Sequence, residues 1–309
     1  MASEPTKVLF DTDPGSDDAV MLAMALGHDA IDVVGCSTVC GNSTVGNTTR
    51  NALSILELGG SDAPVARGCG RPLVDELTTA EWIHGEHGIR GDVPEPAGEP
   101  IDAHGAEFIV EQAREHGEEL VVAAVGPLPN LATALAIEPD LPEMVGEIYL
   151  MGGAAFEVGN ATPAAEANFH NDPAAASRVL QDADPRMVGL DVTNRATVSR
   201  ETVAEYQAAG GTLATVGDWL DYPEEIDRFG EDGTPVHDAA VVADIVDPGV
   251  LAFESYPAEV DTTGGPSHGA VVADRHGVTG GEPNCEVAVD VDVERFRELL
   301  REGVEAYAG

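Results

Sequence analysis

Up to about residue 195, short apolar runs alternate with segments of helical period, and this rhythm limits the available folds more than any other feature. KVLF (7–10) reads as a strand and DDAVMLAMALG (17–27) as a helix. DVVGCSTV (32–39) is a strand, NTTRNALSILELGG (47–60) a helix closed by glycine, and PVARG (64–68) a short strand. The alternation continues with HGAEFIVEQAREHG, LVVAAVG, NLATALAI, EIYLMGG, PAAASRVL and RMVGLDV, the last read as a strand through Val192. Such a β-α-β-α succession predicts a doubly wound α/β fold, a mostly parallel sheet with helices on both faces. Beyond it come a helical stretch, candidate strands in SYPAEVDTT, HGAVVAD and CEVAVDV, and a last helix, ERFRELLREGVEAYA. GEPNCEV and PEPAGEP read as ordinary loops, and no repeat or low-complexity linker interrupts the chain. We read residues 1–309 as one domain with a later appended region.

Open α/β sheets bind ligands at the carboxyl ends of their strands. That places Asp11 and Asp13 (strand one), Asn42 (strand two), the Gly126-Pro127 turn, Met151-Gly152-Gly153 and Asn160 in one convergent region. The first of these segments, LFDTDPGSDDAV (9–20), crowds Asp11, Asp13, Asp17 and Asp18 around a Pro14-Gly15 turn. Like charges this close repel, so they need something to hold. Calcium takes 6–8 oxygen ligands from carboxylates, carbonyls and water, and a hard divalent cation explains the crowding. A solvated helix N-terminus accounts for Asp17 or Asp18 through capping and the helix dipole. It accounts poorly for Asp11 and Asp13, which leave a buried strand.

Charge excludes several partners. The net charge is −41, with 56 acidic against 15 basic residues, and Lys7 is the only lysine. Nucleic acid and anionic membrane are therefore not expected partners. The acid is spread evenly along the chain, which predicts a halophilic, archaeal source. Cys36, Cys40, Cys69 and Cys285 contain no CxxC pair and read as free, buried thiols. No basic-then-apolar leader and no membrane-length apolar run is present, so a cytoplasmic location is expected.

An apolar strand followed by DxD also opens haloacid-dehalogenase-like phosphatases. Those need a lysine further along the chain, whereas Lys7 precedes the strand and Pro14-Gly15 with Asp17-Asp18 do not match. The opening stretch instead resembles the signature of the inosine-uridine-preferring nucleoside hydrolase family. The resemblance runs through VCGNSTVGNTTRNA, EWIHGEHGIRGD, AVGPLPNLATAL, EIYLMGGA, GNATPAAEANFHNDPAAA, VGLDVTNRA and VHDAAVVADIVDP, in that order.

The resemblance implies a calcium-dependent hydrolase that cleaves the N-glycosidic bond of ribonucleosides. It carries over Asp13, Asp18, Asp238 and the Val125 carbonyl as calcium ligands, with Asp11 behind them orienting the cluster. Asp13 would also serve as general base toward water, as in inverting glycosidases. Asp17, Asn42, Met151, Asn160, Glu166 and Asn168 would contact the nucleoside, mainly its ribose hydroxyls. His237, beside Asp238, would protonate the leaving base, since histidine titrates near neutrality. His84 is a second candidate for contact with the base. Trp82 and Trp219 could stack on a purine, with core or interface packing the equal alternative. Phe156 and the Asp221-Tyr222 region are candidates for the base pocket, and His28, His116 and His276 read as solvated loop residues. Homodimers or homotetramers are implied as well. Pro129 replaces a threonine common in the family's turn, and Ala167 and Asn171 stand where bulkier apolar residues are frequent. The match is weak between Gly210 and Thr234, which leaves the preferred base open. A catalytically silent nucleoside-binding protein on the same scaffold is the alternative, disfavoured because Asp13, Asp18 and Asp238 are all retained.

Overall fold

The computed structural model describes residues 4–85, 87–91, 93–222 and 233–309. Strand β1 (Thr6–Thr12) leads to α1 (Ser16–Gly27), β2 (Ile31–Thr38) to α2 (Val45–Leu58), and β3 (Val65–Arg67) to α3 (Glu81–His84) and α4 (Gly105–His116). Next, β4 (Leu120–Ala124) precedes α5 (Pro129–Ile137) and α6 (Leu141–Met144), and β5 (Glu147–Met151) precedes α7 (Ala167–Asn171) and α8 (Pro173–Asp182). Strand β6 (Arg186–Val188) enters the single turn α9 (Leu190–Thr193). A ribbon of β7 (Thr197–Val198) and β8 (Thr234–Pro235) brackets α10 (Arg200–Ala209) and α11 (Gly211–Trp219). The chain ends with α12 (Ala239–Val246), β9 (Leu251–Tyr256), β10 (Ala258–Val260), β11 (Val271–Ala273), β12 (Cys285–Val291) and α13 (Val293–Ala308).

Eight strands form one sheet in the order β3-β2-β1-β4-β5-β6-β12-β9. All pairings are parallel except β12 with β9. Both faces are covered, so β1 is apolar at consecutive positions. Val8 and Phe10 join the core beneath α1, α2, α12 and α13, while Leu9 joins the core beneath α4, α5 and α8. The expected doubly wound α/β architecture is therefore present. From β1 the chain steps outward to β2 and β3, then returns to place β4 on the other side of β1. The reversal leaves a crevice beyond the carboxyl ends of β1 and β4, where such sheets bind ligands.

The last helix locks onto the first. A side chain at Gly27 would overlap the Gly303 carbonyl, and the Tyr307 hydroxyl donates to the Ile55 carbonyl at 2.8 Å. His28, expected to be a solvated loop residue, is half-buried here with Nε2 2.7 Å from the Leu299 carbonyl.

Other elements also depart from the sequence reading. RMVGLDV is strand only to Val188, because Leu190 donates its N–H back to the Gly153 carbonyl and the chain turns into α9. SYPAEVDTT is split at Pro257, with its first part on the main sheet and its second paired to β11. Trp219 is fully buried in the core and has no face free for a ligand. All four cysteines are free. No helix among the described residues is long and apolar enough to cross a membrane.

Candidate active site

The opening motif sits in the crevice. Asp13, the first residue beyond β1, is buried, and its Oδ2 accepts the Asn42 backbone N–H at 2.6 Å. Two glycines make room for its carboxylate. A side chain on Gly41 would overlap Asp13 Oδ2, and one on Gly126 would stand 2.5 Å from Oδ1. Asp18, in the first turn of α1, accepts from the Thr12 hydroxyl at 2.5 Å and the Gly15 N–H at 3.0 Å. The Asn42 amide reaches Asp18 Oδ2 at 3.1 Å and the Asp13 carbonyl at 3.3 Å. Asn42, expected against ribose, thus has its donors committed to fixing the two aspartates. Asn51 holds the turn between them, donating to the Pro14 carbonyl at 3.0 Å.

Asp238, at the N-terminal end of α12, comes from more than two hundred residues away and completes the cluster. Asp17, Asp18 and Asp238 each bring a carboxylate oxygen within 4.8 Å of the others'. Asp13 is not a member of this triple, and Asp17, expected on the ribose, is. Burial is the main cause of raised pKa values throughout. It pushes Asp18 up to about 6, helped by the charge of Asp17 and opposed by the bonds from Thr12 and Gly15. Asp13 and Asp238 are raised well above the usual carboxylate range by burial and by neighbouring carboxylates. Among the described residues, no arginine or lysine forms an ion pair with any of the four. Buried carboxylates without a counter-charge must either take up protons or bind a cation. An all-oxygen donor set suits a hard divalent ion.

Facing this cluster is the loop between β5 and α7. Glu166 is buried at the N-cap of α7, and its two oxygens accept from the backbone N–H groups of Asn168 (2.9 Å), Gly153 (2.9 Å) and Phe169 (3.1 Å). Asn168 donates its amide to the carbonyls of Val125 (2.8 Å) and Met151 (3.0 Å), and so ties the ends of β4 and β5 together. Val125 is therefore in the crevice with one carbonyl lone pair already engaged. Met151 is buried and contributes backbone and sulfur rather than a polar group. Asn160 is exposed, with its Oδ1 capping the Ala167 N–H at 2.9 Å.

The histidines form a second wall beside the cluster. His84, in α3, is 6 % exposed and its Nδ1 accepts the Ser16 N–H at 3.2 Å. The proton of the neutral ring must then lie on Nε2, and burial holds its pKa down at about 4. Tyr222 packs edge-on to it with ring centres 6.1 Å apart. Burial and the charges of Asp17, Asp238 and Asp18 raise the Tyr222 phenol. His237 is half-buried, with Nδ1 2.8 Å from the Thr193 hydroxyl. Its pKa is lowered by burial and partly restored by Asp17. Trp82 is 70 % exposed on α3, and Phe156, near the start of the β5–α7 loop, stacks under Arg275. Residues 223–232, part of the stretch expected to supply base contacts, lie outside the described residues.

Asp11 stands apart. Its Oδ1 accepts from Ser37 (2.6 Å) and Asn130 (2.8 Å), its Oδ2 has no partner, and burial raises it to about 6. These bonds fasten β1 to β2 and α5, and none runs to the other carboxylates. Thr12, Ser16, Asn51 and Thr193 were not singled out by sequence reasoning. Each lies within a quoted motif, but a hydroxyl, amide or backbone group that supports a ligand leaves no spacing of its own.

The inosine-uridine preferring nucleoside hydrolase family sequence model matches residues 8–298. The pyrimidine-specific ribonucleoside hydrolase RihA of Citrobacter koseri is 38 % identical over 97 % of this chain and 98 % of its own length. RihB of Escherichia coli, also named pyrimidine-specific, is 34 % identical over 98 % of each. A solved purine-preferring ribonucleoside hydrolase from Gardnerella vaginalis superposes with a TM-score of 0.90 at 28 % identity, over 98 % of this chain and 99 % of that one. With the carboxylate cluster, the β5–α7 loop and the histidine wall in place along one crevice, the chain belongs to the inosine-uridine preferring nucleoside hydrolase family.

Proposed function

We propose that this chain hydrolyses the N-glycosidic bond of ribonucleosides, releasing ribose and the free base. The observation that carries the reading is the buried carboxylate group at the strand reversal, with which no arginine or lysine among the described residues forms an ion pair. We assign Asp13, Asp18, Asp238 and the Val125 carbonyl to a calcium ion, with Asp17 beside them. When bound, such an ion lowers the pKa of water and anchors vicinal hydroxyls.

The chain's own groups account for the rest. Asp13 has one oxygen held by Asn42. It acts as the base that takes a proton from water as the oxygen attacks C1′. The ribose lies between Asp17 and the β5–α7 loop, where Asn160 and Asn168 are already fixed by their own bonds. Preset groups spare the substrate the cost of ordering them. His237 returns a proton to the leaving base, and His84 offers its Nε2–H from the same wall. The relatives named above at 34–38 % identity are pyrimidine-specific. We accordingly take pyrimidine ribonucleosides as the preferred substrates.

We also read the acidic coat as a halophile's, and the protein as a homodimer or homotetramer, measurable by light scattering in molar salt. The deciding experiment is release of free base from uridine, cytidine, inosine and adenosine in molar KCl, with added calcium and again with chelator. Release from uridine or cytidine that chelator abolishes supports the reading. Nucleoside binding without release would make the chain a binding protein, and undiminished release in chelator would remove calcium from the mechanism.

A further inference from the structure

One short element touches both jaws of the crevice. The turn α9 starts where Gly189 passes so close to the Gly153 carbonyl that a side chain there would stand 2.7 Å from it. From this turn four bonds fan out. The Leu190 N–H donates to the Gly153 carbonyl at 2.9 Å, and the Gly153 N–H in turn donates to Glu166. The half-buried Asp191 carboxylate accepts the N–H groups of Ala155 (2.9 Å) and Phe156 (2.7 Å), at the root of the β5–α7 loop. The buried Thr193 hydroxyl meets His237 Nδ1 at 2.8 Å. Four consecutive residues thus bind the loop that carries Asn160 and Glu166 on one side and the proposed proton donor on the other.

The chemistry of the two side chains suits these tasks. A carboxylate is acceptor-only and takes one N–H on each oxygen here, whereas an amide in the same place would offer one accepting atom and one donor. A hydroxyl both donates and accepts, so Thr193 holds the imidazole whichever nitrogen carries the proton. Neither residue is in the carboxylate cluster.

We propose that Asp191 and Thr193 are positioning residues, Asp191 setting the β5–α7 loop against the ribose and Thr193 aiming His237 at the leaving base. This rests on the proposed hydrolase reading. It predicts two separable defects. Asp191→Asn keeps the volume but turns a donor toward one of the two N–H groups. It should raise KM about tenfold or more for uridine and for p-nitrophenyl riboside alike, with a smaller change in kcat. Thr193→Val keeps the shape but loses the hydroxyl. It should lower kcat for uridine about tenfold or more and leave p-nitrophenyl riboside, whose leaving group needs no proton, nearly unchanged. Thr193→Ser should recover most of that loss.

Kinetics are paired with hydrogen exchange on the full chain in molar salt. Asp191→Asn should speed exchange at Ala155 and Phe156 without lowering the melting temperature enough to unfold the protein. If that variant does not fold, Asp191→Ser, which retains one acceptor, replaces it. Parent-like exchange and KM in the Asp191 variant would overturn its half of the proposal. Equal losses on both substrates in Thr193→Val, or no recovery in Thr193→Ser, would overturn the other. Should the parent release no base from any nucleoside, the hydrolase reading fails, and the exchange rates alone still decide whether Asp191 holds the loop.

Discussion

The two walls of the crevice are built differently. The carboxylate side is assembled from strand ends and helix starts of the main sheet, with Asp13 seated between two glycines and Asp18 bonded by Thr12, Gly15 and Asn42. The histidine side rests on a four-residue helix, a ribbon and the stretch after α11. Among the described residues, the side chains of His84 and His237 are each held by one hydrogen bond, to Ser16 and Thr193 respectively. In the proposed reading, the first wall would meet what all ribonucleosides share and the second what distinguishes them.

The largest effect expected from this contrast is at Asp13. Asp13→Asn keeps an oxygen for the metal but is a far weaker base, so turnover should fall ~10²–10⁴-fold with every nucleoside while bound calcium is largely retained. Near-parent turnover would remove Asp13 from its proposed role. Asp18→Ala should lose less when calcium is in excess, because weakened binding is offset by mass action. Turnover across a calcium titration measures this, and a loss that no amount of calcium restores would mean Asp18 does more than hold the ion. On the other wall, His237→Ala should slow uridine about 10²-fold while leaving p-nitrophenyl riboside nearly intact. Equal losses on the two would make His237 a support for Asp238 instead. His84→Phe should act mainly on base choice, altering the ratio of uridine to inosine turnover about tenfold, within what a lost hydrogen bond supplies. A uniform loss across bases would place His84 with the sugar side and dissolve the contrast. The smallest effect is general. A net charge of −41 repels itself most at low ionic strength, where the Debye length is ~30 Å at 0.01 M salt, so the melting temperature should rise from dilute buffer to molar KCl. Equal melting temperatures in the two would count against the halophile reading.

The same contrast governs what could be read from the amino-acid order. Strands and helices of the sheet were legible because their apolar patterns are continuous, and the strand-end rule then pointed to Asp13, Asn42, the Gly126-Pro127 turn and Met151 as one region, while Val125 and Asn168 came from the family resemblance. The turn α9 was not, since the alternation in VGLDV looks like strand and only the approach of Gly189 to Gly153 bends it. The partners of a polar side chain on a site loop are not visible in sequence, and the family resemblance assigns Asn42 and Glu166 to the sugar. In three dimensions their atoms are bonded to the chain itself. His28 looked solvated because Leu299, its partner, lies at the far end of the chain. Asp17 was assigned to the ribose, and its proximity to Asp238 depends on how α12 meets α1, a tertiary fact that spacing does not carry.

The contact between the first and last helices sets an order of events in the making of this protein. Asp17 and Asp18 stand on α1, which leaves the ribosome well before α13. The surface that clamps α1, at Leu299, Gly303 and Tyr307, lies on that later helix. Closing such a long-range contact is slow compared with forming either helix alone. The packing around the acidic motif is therefore completed only when this contact closes. A chain truncated before α13 would carry the whole signature of the family but lack one of the surfaces on which α1 rests.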